Sequence, residues 1–191
     1  MIRLAVLASG SGTNLEAILK YPLPVALVVT DRACGAVQTA AEAGVPCITI
    51  PRPRKKHLTA LERRTFTAQV RDCLVAHSIT HIAMAGFFTV LSEQIFDAYG
   101  GRMLNLHPSL LPKYKGAHAV RDALESGESV TGCTIHVVTP VVDHGRILAQ
   151  CTVPIRRDDT VETLHERIKQ VERRLFPKTV ARFLQETQPP A

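Results

Sequence analysis

The 191-residue chain has room for one domain with a full core, and its 46% hydrophobic and 21% charged residues exclude a largely disordered protein. No apolar run reaches the roughly 18 residues needed to span a bilayer, and five scattered cysteines with no Cys-x-x-Cys pair argue against a disulfide framework or a zinc site. A formal charge of +6 favours anionic partners, but with 5% aromatic residues and no tryptophan the basic residues lack the stacking companions of a nucleic-acid binder.

The chain opens on an apolar strand, Ile2–Ala8, which runs straight into Ser9-Gly10-Ser11-Gly12 without the basic start or cleavage site of a signal peptide. A helix over Asn14–Lys20 follows, then a strand over Pro24–Thr30, a helix over Gly35–Ala43 and a strand over Pro46–Ile50. Arg52, Arg54, Lys55, Lys56 and His57 make a basic loop, read as a solvated segment with a modest attraction for phosphate or carboxylate. Beyond it come a helix (Leu58–Ala76), a strand (His81–Ala85), a helix (Ser92–Ala98), a strand (Arg102–Leu106), a helix (Ala117–Glu125) and two strands (Thr131–Val138, Ile147–Val153). A last helix covers Val161–Leu184: Val161, Leu164, Ile168, Val171 and Leu175 recur at helical spacing, Asp159 and Glu162 have the spacing of a capping box, and Pro177 is expected to bend or break it.

Strands alternating with helices predict a Rossmann-like, doubly wound α/β fold with a mostly parallel sheet of about seven strands. One domain is expected over residues 1–187, with a phosphate-binding half to about residue 100, a catalytic half from about 101, and a frayed tail at 188–191. Reduced thiols point to the cytoplasm. None of the eight histidines stands at a recognisable metal spacing, so no metal is expected.

The loop Ser9-Gly10-Ser11-Gly12-Thr13-Asn14 follows a strand and opens a helix, where backbone N–H groups can meet an anion. It lacks the lysine of a P-loop and the third glycine of a dinucleotide fingerprint, so it suits a monophosphate. The alternative is a plain turn in which Thr13 caps the helix and Glu16 completes the box.

The most informative string is Asn105-Leu106-His107-Pro108-Ser109-Leu110-Leu111-Pro112. Alternation puts Asn105 and His107 on one face of a strand at its C-terminal end, the edge where ligands gather in open α/β sheets, and the two prolines stiffen the loop that follows. Either polar residue alone reads as structural; the pair above a rigid loop reads as a site.

That string resembles the signature of the 10-formyltetrahydrofolate-dependent formyltransferases and deformylases. The resemblance continues through Gly10-Ser11-Gly12-Thr13-Asn14, Lys115-Gly116-Ala117-His118-Ala119, Thr131-Gly132-Cys133-Thr134-Ile135-His136, Asp143-His144-Gly145-Arg146-Ile147 and Gln150. It implies the formyltransferase fold, a cis Leu111-Pro112 bond, and formyl transfer from 10-formyltetrahydrofolate as cosubstrate to the amine of glycinamide ribonucleotide, by a monomer or weak homodimer without nucleic acid or membrane. Members that act on tRNA or hydrolyse the formyl-folate carry further domains, for which 191 residues leave no room.

On this resemblance Asn105 and a protonated His107 would donate to the oxyanion, and Asp143 would take the amine proton and help keep His107 charged. Gly12, Thr13 and Asn14 match the phosphate loop, and Glu172 matches the ribose-binding carboxylate, its alternative being an exposed helical glutamate. Gly86 and Pro108 complete the substrate set. Phe87, Phe88, Thr89, Val90, Leu91 and Val142 match the folate pocket, with Asp143 in a loop that closes over the pterin and Gly145 letting the backbone approach the ring. The chain departs from the pattern at Thr89, where relatives often carry Arg, at Phe88, where Met is common, and at Arg173, where a His usually follows the ribose-binding Glu. Two alternatives stay open: hydrolysis or transfer to another amine, and a non-catalytic nucleotide-binding module.

Overall fold

Leu4-Ala5-Val6-Leu7-Ala8 is apolar at every position and buried at every position, so the strand it forms needs cover on both faces. The computed structural model describes residues 1–55 and 57–187; Lys56 of the basic loop and the tail expected to fray, 188–191, lie outside the described residues. The strands are β1 (Leu4–Ala8), β2 (Val25–Thr30), β3 (Cys47–Thr49), β4 (His81–Met84), β5 (Met103–His107), β6 (Val130–Val137) and β7 (Ile147–Pro154). The helices are α1 (Thr13–Leu19), α2 (Gly35–Glu42), α3 (Ala60–Ala76), α4 (Ile95–Tyr99), α5 (Ala119–Glu125) and α6 (Val161–Glu186).

Among the described residues the seven strands form one sheet in the order β3-β2-β1-β4-β5-β6-β7. The first five run parallel, β6 pairs antiparallel to β5, and β7 antiparallel to β6. Alternation splits the core into two layers. Leu4, Val6, Val28, Leu104 and Leu106 pack beneath α1, α2, α5 and α6, while Ala5, Leu7, Val29, Met84 and Met103 pack beneath α3 and α4. This is the doubly wound arrangement expected.

Local details differ from the sequence reading. The box at the start of α6 is built by Thr160 and Thr163, not Asp159 and Glu162. Asp159 is drawn instead to Arg167, whose two nitrogens lie 2.6 and 2.7 Å from its oxygens, a charge-assisted pairing stronger than a cap. Helix α6 continues through Pro177, because the buried face that includes Leu164, Ile168, Phe176 and Val180 offsets the roughly 3 kcal/mol such a residue costs. Helix α1 has Gly12 as its N-cap, with no side-chain cap, and Glu16 turns to Lys20 rather than closing a box with Thr13.

β1 and β4 are neighbours, yet the chain leaves β1 toward β2 and β3 on one side and continues from β4 to β5 on the other. The strand order therefore reverses between them, and a crevice opens beyond their C-terminal ends. The rows Leu7–Met84 and Met84–Asn105 align the exits of β1, β4 and β5 side by side. Among the described residues no helix is long and apolar enough to cross a membrane.

Candidate active site

Asn105 and His107 do project from one face of β5, while Leu104 and Leu106 enter the opposite core layer. Because β6 runs antiparallel, its ladder sets His136 opposite Asn105 and Thr134 opposite His107, on that same face. The buried His136 ring lies with Nδ1 3.0 Å from the carbonyl of Val137, to which it donates, leaving Nε2 to accept from Asn105 Nδ2 at 3.2 Å. One N–H of the Asn105 amide is thus used inside the sheet, and the other has no hydrogen-bond partner among the described residues.

His107 is buried, and its Nε2 donates to the carbonyl of Tyr114 at 2.8 Å. The loop between these residues is held at several points. Thr134 Oγ1 donates to the carbonyl of Ser109 at 2.6 Å and accepts from the Leu111 N–H at 3.0 Å and from Gln150 Nε2 at 2.9 Å. Gln150 also donates to the Leu111 carbonyl at 2.8 Å, and Ser109 Oγ donates to that of Lys113 at 2.7 Å. The Leu111-Pro112 bond is cis.

Asp143 comes from the loop between β6 and β7 and closes the group. Its backbone takes a left-handed φ of 56°, which aspartate tolerates better than most residues. Oδ2 lies 3.5 Å from His107 Nδ1 and accepts from the Gly116 N–H at 2.8 Å; Oδ1 lies 3.5 Å from His136 Nε2. Burial opposes the Asp143 charge, but the His136 ring, the Gly116 N–H and the His107 ring outweigh it and hold the pKa at about 2.

For His107 the balance falls the other way. Burial pulls its pKa below the ordinary value, and the Tyr114 carbonyl and the Asp143 charge only partly restore it. Asp143 does favour the charged imidazole, but in the free protein desolvation outweighs it and the neutral ring is favoured. Gly145 is also reinterpreted. A Cβ there would stand 1.6 Å from the carbonyl oxygen of Val137, so the glycine is demanded by the chain's own packing, whatever approaches from outside.

Asn105, His107, His136 and Asp143 border one cavity of about 180 Å³, walled by apolar side chains. Gly86, Phe87, Phe88, Thr89, Val90, Leu91, Pro108 and Val142 border it too, so residues from both halves of the chain meet at one cavity. Phe88 and Val90 are exposed at the mouth. Thr89 is 2% exposed and its hydroxyl donates to Asp31 Oδ2 at 2.6 Å, so it does not offer that group to a ligand.

Gly12, Thr13, Asn14 and Glu172 form a second locus off the cavity wall. Gly12 has φ 86°, and a Cβ on it would come within 2.6 Å of Thr39 Oγ1. Asn14 Nδ2 donates to Glu172 Oε2 at 2.8 Å. Glu172 is 3% exposed, not the exposed helical carboxylate of the alternative reading, and burial pushes its pKa up. Asn14 Oδ1 is buried without a partner among the described residues. The two loci meet through Ser9, whose N–H donates to the Gly86 carbonyl at 3.0 Å and whose Oγ accepts from the Phe88 N–H at 3.2 Å.

Sequence reasoning gave no role to His136, Gln150 or Asp31. For His136 and Gln150 the signal was present, since His136 alternates with Thr134 on β6 and both lie in strings already singled out. Among the described residues no group of three His, Cys, Asp or Glu side chains is arranged to hold a metal.

The formyl transferase family profile matches residues 2–180. The chain is 42% identical over 184 residues to the phosphoribosylglycinamide formyltransferase of Mycobacterium tuberculosis, an alignment covering 94% of this chain and 83% of that protein. It is 43% identical over 183 residues to the trifunctional purine biosynthetic protein adenosine-3 of Gallus gallus, covering 92% of this chain and 18% of that one. The crystal structure of glycinamide ribonucleotide transformylase 1 from Symbiobacterium toebii matches with a TM-score of 0.88 at 38% identity, covering 100% of this chain and 91% of the other.

Proposed function

The chain belongs to the formyl transferase family, and from that premise we propose that it is a phosphoribosylglycinamide formyltransferase, moving the formyl group of 10-formyltetrahydrofolate onto the amine of glycinamide ribonucleotide in purine biosynthesis. The observation that carries this reading is the convergence of Asn105, His107 and Asp143 on one apolar cavity at the end of β5. The 42% identity to the mycobacterial enzyme, in an alignment covering 94% of the chain, supports it.

In the reaction the amine attacks the formyl carbon, and the carbonyl oxygen becomes an oxyanion. The free N–H of Asn105 donates to it, a contact of a kind whose loss costs about 10²–10³ in rate. The proton shed by the amine passes to the Asp143–His107 pair. On Nδ1 it turns the imidazole into a second, charge-assisted donor, and it leaves with the folate nitrogen when the intermediate collapses. A neutral His107 in the free protein suits this sequence, because Nδ1 then has a lone pair to receive that proton.

Residues 9–14 hold the phosphate in the N-terminal half, where the first-turn N–H groups of α1 have no helical partners. Glu172 accepts from the ribose hydroxyls, and the segment 86–91 with Val142 encloses the pterin. The partners are these two small molecules, met in the cytoplasm by a monomer or weak homodimer, without nucleic acid or membrane. An absorbance assay of folate product with and without glycinamide ribonucleotide tests the reading. Turnover only with the ribonucleotide is expected; turnover without it would indicate a hydrolase, and none in either case a binding module.

A further inference from the structure

Asp31 follows the last residue of β2 and is 1% exposed, although nothing in the mechanism uses it. Its carboxylate is engaged from several sides. Arg32 grips it with Nε 2.8 Å from Oδ1 and Nη2 2.9 Å from Oδ2, and Thr89 donates to Oδ2 at 2.6 Å. Burial pushes this carboxyl up, but the Arg32 guanidinium and the Thr89 and Ser9 hydroxyls outweigh it, so the group stays ionised.

Those partners sit on different loops. Ser9 begins the loop of residues 9–14 and accepts from the Phe88 N–H, while Thr89 lies at the middle of the segment 86–91 that borders the cavity. The buried charge therefore ties the exit of β2 to the segment after β4, and that segment is bonded in turn to Ser9 at the exit of β1. At position 89 this chain carries a hydroxyl short enough to turn inward, and the inward turn leaves the neighbouring Phe88 and Val90 facing out at the cavity mouth.

We propose that Asp31 is a positioning residue: its carboxylate, acting through Thr89, fixes the 86–91 segment in the conformation that receives the folate, beside the Phe88 N–H that bonds Ser9 of the phosphate loop. The proposal rests on the function assigned above for its substrates, but not for its geometry. A residue that merely stabilises the fold would lower the fraction of active enzyme and the melting temperature together, without altering the affinity of what remains. A positioning residue alters KM.

The test uses the full chain carrying Asp31→Asn, Thr89→Val or Thr89→Ser. Asp31→Asn is expected to raise KM for 10-formyltetrahydrofolate about ten-fold, with kcat falling far less, as the loss of a hydrogen bond to a charged group predicts. Thr89→Val should raise the same KM in the same direction, and Thr89→Ser should restore it by keeping the hydroxyl. In the unliganded protein, amide exchange at Phe88 should quicken about ten-fold in Asp31→Asn and Thr89→Val and stay near wild type in Thr89→Ser. Wild-type KM values and wild-type Phe88 exchange in both Asp31→Asn and Thr89→Val, with only the melting temperature lowered, would overturn the proposal. If the wild type itself transfers no formyl group, the assigned function fails, and the exchange experiment alone decides the role of Asp31.

Discussion

Asn14 and Glu172, 158 positions apart, are joined by a 2.8 Å hydrogen bond that ties the first turn of α1 to the middle of α6. Glu172 is buried with a raised pKa, so the folded protein holds its proton more tightly than the unfolded chain does. Its favourable contribution is complete below the unfolded value of 4.5 and is lost as pH rises through the folded value. Glu172→Gln should therefore raise Tm at pH 8 relative to wild type, and the gain should shrink toward pH 4. If Glu172 accepts from the ribose, the same variant should raise KM for the ribonucleotide by about ten-fold. Thermal scans at both pH values and steady-state kinetics check the two halves separately.

Asn105→Ala should lower kcat by about 10²–10³ with a smaller change in either KM, as the oxyanion role proposed for its second N–H requires. The cavity and the His136 ring remain, so binding of a folate analogue measured by calorimetry should persist. A variant retaining wild-type kcat would remove Asn105 from the chemistry.

Asp143→Asn keeps the shape and removes the charge. With the wild-type carboxyl held at about 2, the residue is an ionised acceptor throughout the neutral range. Loss of that acceptor should reduce kcat by about 10²–10⁴. Single-turnover measurements, which exclude product release, are the appropriate readout.

Burial depresses His107, so its neutral form is favoured in the folded state. Stability from this group is complete above the unfolded value of 6.5 and is lost as pH falls through the folded pKa. His81 and His165 are depressed by burial in the same direction. Tm should fall on acidification below pH 6.5, and His107→Gln should flatten part of that slope. The imidazole resonance of His107 should titrate with a midpoint below 6.5; a midpoint above it would contradict the account given of the free enzyme.

Gly145→Ala places a methyl group against the Val137 carbonyl, and relief requires moving the loop that carries Asp143. Overpacking of this kind costs about 1–3 kcal/mol. The variant should lose Tm and kcat together, whereas a glycine needed only to admit a ligand would spare Tm.

Much of this architecture was readable in the residues. The apolar run at Leu4–Ala8 demanded a doubly covered strand, and period-two alternation was enough to put Asn105 and His107 on one face. What stayed hidden depends on contacts remote in sequence. His136 joins Asn105 only because β6 pairs antiparallel in one register, which no local pattern declares. Asp31 carried no local signal of burial, because the Thr89 hydroxyl that bonds it comes from 58 positions away. Asp159 forsook its cap for an arginine two turns along α6, and Pro177 stayed inside a helix whose buried face outweighs its missing donor.

The turn from parallel to antiparallel pairing at β5 makes the protein unequally tolerant of changes in length. A residue inserted within β5 or β6 would shift one strand by a single step against the other, carrying Leu104 and Leu106 toward the cavity or His136 into the packed layer below. The segment between these strands crosses α5 and several turns, and an added residue near Gly127 can be absorbed there. Lineages of this enzyme should accordingly vary in length between the strands and hardly ever inside them.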